Sequence, residues 1–410
     1  MTMSPAKQIS ILSIPVLVAA LGYFVDIYDL LLFGIIRQTS LLSLGLSKAA
    51  VDSEGLFIIN IQMVGLMIGG IIAGIIGDKK GRLSVLFGSI LLYSLANIAN
   101  GFVHTVGEYA TCRFVAGLGL AGELGVGITL VSELLPKEKR GIATSLVAGI
   151  GLSGAILAFV MKENFEWRTC YFIGGGLGIL LLVTRIGVFE SGMFNMIKHE
   201  KVEKGNFLAL FTNKDRFLRY IKSILIGLPT WFVIGILISF SNKFGEAFGI
   251  SEKIDAGRSI MFAYVGISAG DILIGLLSQV LKSRKKALYI FYTITAIGMY
   301  IFFTQLYNGS AARLYWACAL LGFGTGFWAI FVTIGAEQFG TNLRATAATT
   351  IPNMVRGSLP LITALFAALQ TSFSYASSGI ITGTIIMAIG ITATYFSRET
   401  FGKDLNYLEE

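Results

Sequence analysis

Twelve apolar runs, each of twenty residues or more, fill this 410-residue chain and leave few folds open to it. They lie near 11–36, 56–77, 83–102, 109–132, 141–161, 169–189, 218–241, 258–280, 287–306, 313–336, 345–369 and 376–397. A helix rises about 1.5 Å per residue, so roughly 20 residues cross the ~30 Å hydrocarbon core of a bilayer. Charge is correspondingly scarce: Asp, Glu, Lys and Arg make up 14% of the chain, against about 25% in soluble domains. The first run is too long for a signal-peptide core and lacks a small-residue cleavage site, so it too reads as a span. The expected fold is an all-α membrane protein of twelve transmembrane helices.

Twelve spans put both termini on one side. Of the 32 Lys and Arg, 21 fall in segments on that side and 8 on the other, while Arg113, Arg185 and Arg356 lie within spans. Basic residues favour the cytoplasmic side, so both termini are expected there. The net charge of +8 is then a matter of topology, and no nucleic-acid partner is expected. Short loops point to a prokaryotic inner membrane, with lipid as the main surroundings and a monomer as the working form.

Enzyme chemistry finds no support. Cys112, Cys170 and Cys318 have neither metal-site nor disulfide spacing and read as packing residues, so no metal and no cofactor is expected. Gly117-x-Gly119-x-x-Gly122 matches a dinucleotide fingerprint but sits inside an apolar helix with no preceding strand. Gly266-Ile-Ser268-Ala-Gly270 lacks the strand–turn–helix setting of a nucleophile elbow.

The chain looks duplicated. Glu133 and Arg140 follow span four, and Glu337 and Arg344 follow span ten, 204 residues on in both cases. The same offset carries Gly77-Asp78-Lys-Lys-Gly81-Arg82 onto an eroded basic copy at 281–286. Two six-helix bundles are expected, 1–190 and 218–410, joined by a basic cytoplasmic linker at 191–217. Such repeats suit a transporter with a midplane site between halves that rock.

Charges inside spans are costly and mark function by default. Asp26 and Asp29, at i and i+3, share a face of span one. Arg113 enters span four from the same side and is expected to meet Asp29. The pair is read as a proton-coupling site, with a static salt bridge as the alternative. Glu123 lies near mid-membrane and is expected to handle the proton with Asp26 and Asp29; it either faces the substrate or braces a neighbour. Arg356 lies in an apolar span between Pro352 and Pro360. It wants an anionic partner, either a substrate or an acid such as Glu337. Tyr23, Asn60, Gln62, Trp231, Tyr264 and Trp328 are candidates for the cavity wall.

The frame Gly77-Asp78-x-x-Gly81-Arg82 closely resembles the loop signature of the major facilitator superfamily. Arg113-x-x-x-Gly117-x-Gly119 and Glu133-x-x-Pro136-x-x-x-Arg140-Gly141 resemble motifs of its sugar porters, organic-ion transporters and metabolite–proton symporters. The resemblance implies a cytoplasmic gate made by Asp78, Arg82, Glu133, Arg140, Glu337 and Arg344. Because the second copy of the loop is eroded, Asp271 in span eight is a substitute candidate for that gate. The spacing of twelve from Arg344 to Arg356, followed by Gly357, resembles the eleventh helix of organic-ion transporters, where the second arginine contacts anionic substrate. The expected function is proton-coupled symport of a small anionic or zwitterionic metabolite, with an antiporter, a uniporter or a nutrient sensor as rivals.

Overall fold

The computed structural model describes residues 13–136, 139–184 and 204–409, and every regular element among them is helical. Eleven helices are long and apolar enough to cross a membrane, and the apolar helix Trp167–Val183 supplies the twelfth span. The first six are α1 (Ile14–Ser43), α2 (Lys48–Lys80), α3 (Arg82–Asn100), α4 (Val106–Leu134), α5 (Gly141–Asn164) and α6 (Trp167–Thr184). The second six are α7 (Lys214–Ile238), α8 (Ala256–Val280), α9 (Arg284–Thr304), α10 (Ala311–Glu337), α11 (Arg344–Leu369) and α12 (Tyr375–Phe396). Residues 191–203 of the expected linker lie outside the described residues. Its last residues, from Lys214, already belong to α7.

Helix starts follow local chemistry. Ser47, Thr105, Asn213, Asp255, Ser283, Ser310 and Ser374 each accept a hydrogen bond from a backbone N–H of the turn they open, meeting donors that have no partner inside the helix. Gly81, between α2 and α3, has φ 103°, which only glycine adopts without strain.

Several spans are broken, and the breaks repeat. α4 divides into Val106–Leu120 and Glu123–Leu134, and α10 into Ala311–Thr325 and Trp328–Glu337. α5 breaks at Ser153 and α11 at Ser358. Both pairs are 205 residues apart, so the duplication extends to irregularities of the backbone. α7 is loosened differently: Pro229 precedes a wide turn of π-helix over Val233–Ile238. Irregular backbone at membrane depth is tolerated where protein or a cavity surrounds it.

Close helix crossings repeat as well. A Cβ on Gly117 of α4 would strike the backbone of α2 at Gln62, and one on Gly322 of α10 would strike α8 at Ala263. Between the halves, Gly74 and Gly125 admit α11 at Thr346 and Thr349, while Gly149 and Gly275 bring α5 and α8 together. Small residues at such crossings let the backbones of membrane helices touch.

Candidate functional site

A small cavity between the halves is walled by Tyr23 and Ile27 of α1, Leu152 of α5, Thr230, Trp231 and Ile234 of α7, Tyr264 and Ile267 of α8, Trp328 of α10 and Arg356 of α11. Its free volume is about 10 Å³, room for roughly one water. Trp231 and Ile234 are shared with a second cavity of about 60 Å³ that Gln62 also lines. Gly34 in turn joins that one to a vestibule of about 400 Å³ beside Arg37, Lys162 and Lys253. The three cavities thus form a narrowing series from the face where α1 ends towards Arg356.

Arg356 is 2% exposed. Its guanidinium lies 5.6 Å from the ring centre of Trp328 and 6.0 Å from that of Trp231. Nη1 donates to Asn353 Oδ1 at 3.1 Å, and Nε has no partner. Among the described residues no carboxylate comes within ion-pair distance of it. Glu337, the acid offered as its alternative partner, is bound instead by Arg284 at 3.0 Å. Asn353, which sequence reasoning missed, ties Arg356 to the first half. Its Nδ2 donates to Ala121 O at 2.9 Å, at the break in α4, and to Thr349 O at 2.8 Å.

Of the candidate wall residues, Tyr23, Tyr264 and Trp328 line the Arg356 cavity with Trp231. Gln62 lines the neighbouring cavity and donates to Leu30 O at 3.3 Å. Asn60 lies outside both cavities and is partly exposed on α2, a correction explained by its place two residues before Gln62, about 200° round the helix from it.

The acids of α1 are fully buried. Arg113 Nη1 donates to Asp29 Oδ1 at 2.9 Å, and Nη2 to Asn97 Oδ1 at 2.6 Å. The guanidinium also lies 5.0 Å from the ring centre of Tyr171, whose hydroxyl meets that of Tyr109 at 2.9 Å. Asp26 sits one turn before Asp29, within Coulombic reach of Tyr23. Glu123 opens the second piece of α4, 2% exposed and outside the Arg356 cavity. A carboxylate there faces the positive end of its own helix.

On the face where α1 begins, the halves are clamped by buried ions. Glu133 Oε1 accepts from Arg82 Nη2 and from Arg344 Nη1, both at 2.9 Å. Asp78 lies 3.4 Å from Arg82 and accepts the N–H groups of Ala345 and Thr346 at 3.0 and 2.8 Å, at the start of α11. Gly77 packs on Ala345 beside it. In the second half Arg284 holds Glu337 and donates to Ser278 Oγ at 2.9 Å. Arg284 therefore fills in the second half the place of Arg82, and Asp271, the substitute candidate for the gate, makes no ion pair with it. Asp271 lies within α8 and caps the second piece of α10 instead. The Arg140 side chain lies outside the described residues. Arg344 also donates to Leu405 O, which binds the C-terminal segment to the clamp.

Comparison with known proteins agrees with this architecture. The chain matches the family model of the major facilitator superfamily over residues 19–364. It is 28% identical over 368 residues to the niacin transporter NiaP of Acinetobacter baylyi, covering 81% of each chain. It is 29% identical over 204 residues to a benzoate transport protein of the same organism, covering 47% of this chain and 42% of the other. The proton:xylose symporter XylE, solved with 6-bromo-6-deoxy-D-glucose, superposes with a TM-score of 0.74 at 19% identity, over 96% of this chain and 97% of that one. Twelve helices in two related halves, clamped at one face and hollow between, together with that match, make the chain a member of the major facilitator superfamily, a transporter and not an enzyme.

Proposed function

We propose that this transporter carries a small organic anion together with a proton, by alternating access between its halves, and that the anion is a planar aromatic or heteroaromatic monocarboxylate. One observation carries the reading. Arg356 is a buried, permanently charged guanidinium on the wall of the central cavity, with the rings of Trp328 and Trp231 at 5.6 and 6.0 Å and no carboxylate within ion-pair distance among the described residues. Its planar fork suits a carboxylate, and the Trp and Tyr walls suit a flat ring. Similarity to a niacin transporter and a benzoate transport protein supports the same substrate chemistry.

Asp29 is the proton carrier in this reading, with Asp26 beside it. A carboxylate beside its arginine stays ionised, and one that loses its arginine in an apolar site binds a proton. The buried clamp of Asp78, Arg82, Glu133, Arg284, Glu337 and Arg344 is the cytoplasmic gate, shut here, with the vestibule facing outward. Glu123 braces the broken α4 at the N-terminus of its second piece. Opening one face requires the other to close, because both surround one central site.

The test is uptake of nicotinate and benzoate by the purified protein in proteoliposomes, with and without a pH gradient, with nicotinamide as the uncharged control. Accumulation of the carboxylates driven by the gradient is the expected result. Equilibration that ignores the gradient would remove symport, and equal uptake of nicotinamide would remove the anion site.

A further inference from the structure

A buried acid of the second half, Asp271, lies outside the ion clamp. Asp271 has no exposed surface. Its Oδ1 accepts the N–H of Ala329 at 2.9 Å, in the first turn of the second piece of α10. Its Oδ2 is buried and has no hydrogen-bond partner among the described residues. No Lys or Arg among them comes within ion-pair distance of it.

Position connects this acid to the central cavity. Asp271 lies one turn beyond Ile267 and two beyond Tyr264 on one face of α8, and both of those residues line the cavity. The helix end that it caps begins with Trp328, another wall residue. Tyr23 of α1 is within Coulombic reach of Asp271, and its own hydroxyl lacks a partner; Asp26, Tyr264 and Arg356 act on Tyr23 in turn. Charges on the other elements packed on α8 meet it near its ends, Lys162 at Asp255 and Arg284 at Ser278, and none is paired with Asp271. α5 presents Ser145 and Gly149, α9 presents Phe291, α10 presents Gly326, and the π turn of α7 is apolar throughout.

A lone carboxylate in such surroundings is costly, and a helix N-terminus repays only part of the cost. A proton on Oδ2 removes the charge and leaves Oδ1 free to keep capping α10. We infer that Asp271 is a second proton-binding site, in the half opposite Asp29. It binds a proton while the second piece of α10 packs against α8, and releases it when Trp328 and that helix end move with the cavity wall. The inference rests on the proton-coupled reading for its role in transport, but not for its chemistry. It also gives each half one titrating acid: Asp29, which is governed by an arginine, and Asp271, which is governed by a helix end.

The experiment has two arms on the full-length protein in lipid. The first is infrared difference spectroscopy over a pH titration in sodium-free buffer, comparing wild type, D271N and D29N. The amide of D271N keeps an oxygen for the Ala329 N–H, so the fold retains its cap. A protonated-carboxyl band that titrates in wild type and in D29N, and is lost in D271N, is the expected result. A titration in D271N that matches wild type band for band would overturn the site, as would a D271N-sensitive band that responds to sodium at fixed pH. The second arm is the pH dependence of nicotinate uptake, which D271N is expected to flatten. If wild type transports nicotinate without regard to pH, the proton-coupled reading fails while the infrared arm still decides Asp271. If wild type responds to pH and D271N responds identically, the coupling role of Asp271 fails alone.

Discussion

Arg113 and Arg356 are both buried inside spans, one in each half, and they are solved in opposite ways. Arg113 has a carboxylate at 2.9 Å and an amide oxygen at 2.6 Å. Arg356 has one amide oxygen at 3.1 Å and two indole rings. Neither has a twin, since the positions 204 residues away are Ala317 and Leu152. The halves are therefore alike in backbone, down to where the helices break, and unlike in charge. The first half holds a completed ion pair. The second holds a cation with no carboxylate within ion-pair distance among the described residues, and in the proposed function the substrate supplies its counter-charge.

The largest effect should come from breaking the completed pair. Asp29→Ala leaves Arg113 buried without its counter-charge, which costs about 3–5 kcal/mol of stability. A large fall in the thermal unfolding temperature in detergent checks it. The same measurement on Arg356→Met sharpens the contrast. Removing a buried charge that has no ionic partner should leave the unfolding temperature level or higher, because a desolvated cation is replaced by packed apolar atoms. A fall as large as that of Asp29→Ala would mean that Arg356 has a structural partner and that the contrast is false.

Binding should reverse the order of the two variants. Arg356→Met should weaken nicotinate binding by roughly 2–4 kcal/mol, a factor of about 30 to 1,000, as expected when a buried charge loses its anion. Ligand-induced thermal shift reads it directly. Arg356→Lys should recover little, because a point charge does not reproduce the planar fork.

Asn353 tests how the second half is tied to the first. It holds Arg356 and reaches the carbonyl freed by the break in α4. Asn353→Ala removes an amide acceptor from a charged donor, a hydrogen bond worth about 1.5–3 kcal/mol. The effect should fall mainly on the apparent affinity in uptake assays. In a double variant with Arg356→Met the two losses should not add, because they act through one guanidinium. Full additivity would show that Asn353 acts on the interface alone.

The spans were legible because lipid forbids most charges, so a few polar residues punctuate each one. The ion clamp was legible where the Gly77–Arg82 frame is intact. Arg284 was not, because its loop copy has slipped by two residues: Lys286 stands at the aligned position while Arg284 fills the role. Asp271 was misplaced for a related reason. A carboxylate in a span signals a need for neutralisation, but the break in α10 that receives it has no sequence mark stronger than Gly326. Asn353 was passed over because an amide in a helix interior has many uses, and only the freed carbonyl of Ala121 across the interface selects one.

The smallest effect expected concerns the two rings. At 5.6 and 6.0 Å they stand near the limit of a cation–π contact, so each contributes about 0.5–2 kcal/mol to a desolvated guanidinium. Trp328→Phe and Trp231→Phe keep a ring face of lower quadrupole and should each weaken nicotinate binding only a few-fold. Trp328→Leu should cost more than Trp328→Phe, since it removes the π face from both the cation and the bound ring. The comparison with the first half makes this decisive. Around Arg113 the ring of Tyr171 accompanies an ion pair, so Tyr171→Phe, which keeps the ring, should leave nicotinate affinity unaltered. If the Trp variants were as silent as Tyr171→Phe, the rings would be packing in both halves. The anion would then be held by the guanidinium alone, and carboxylates without a ring should bind as well as aromatic ones.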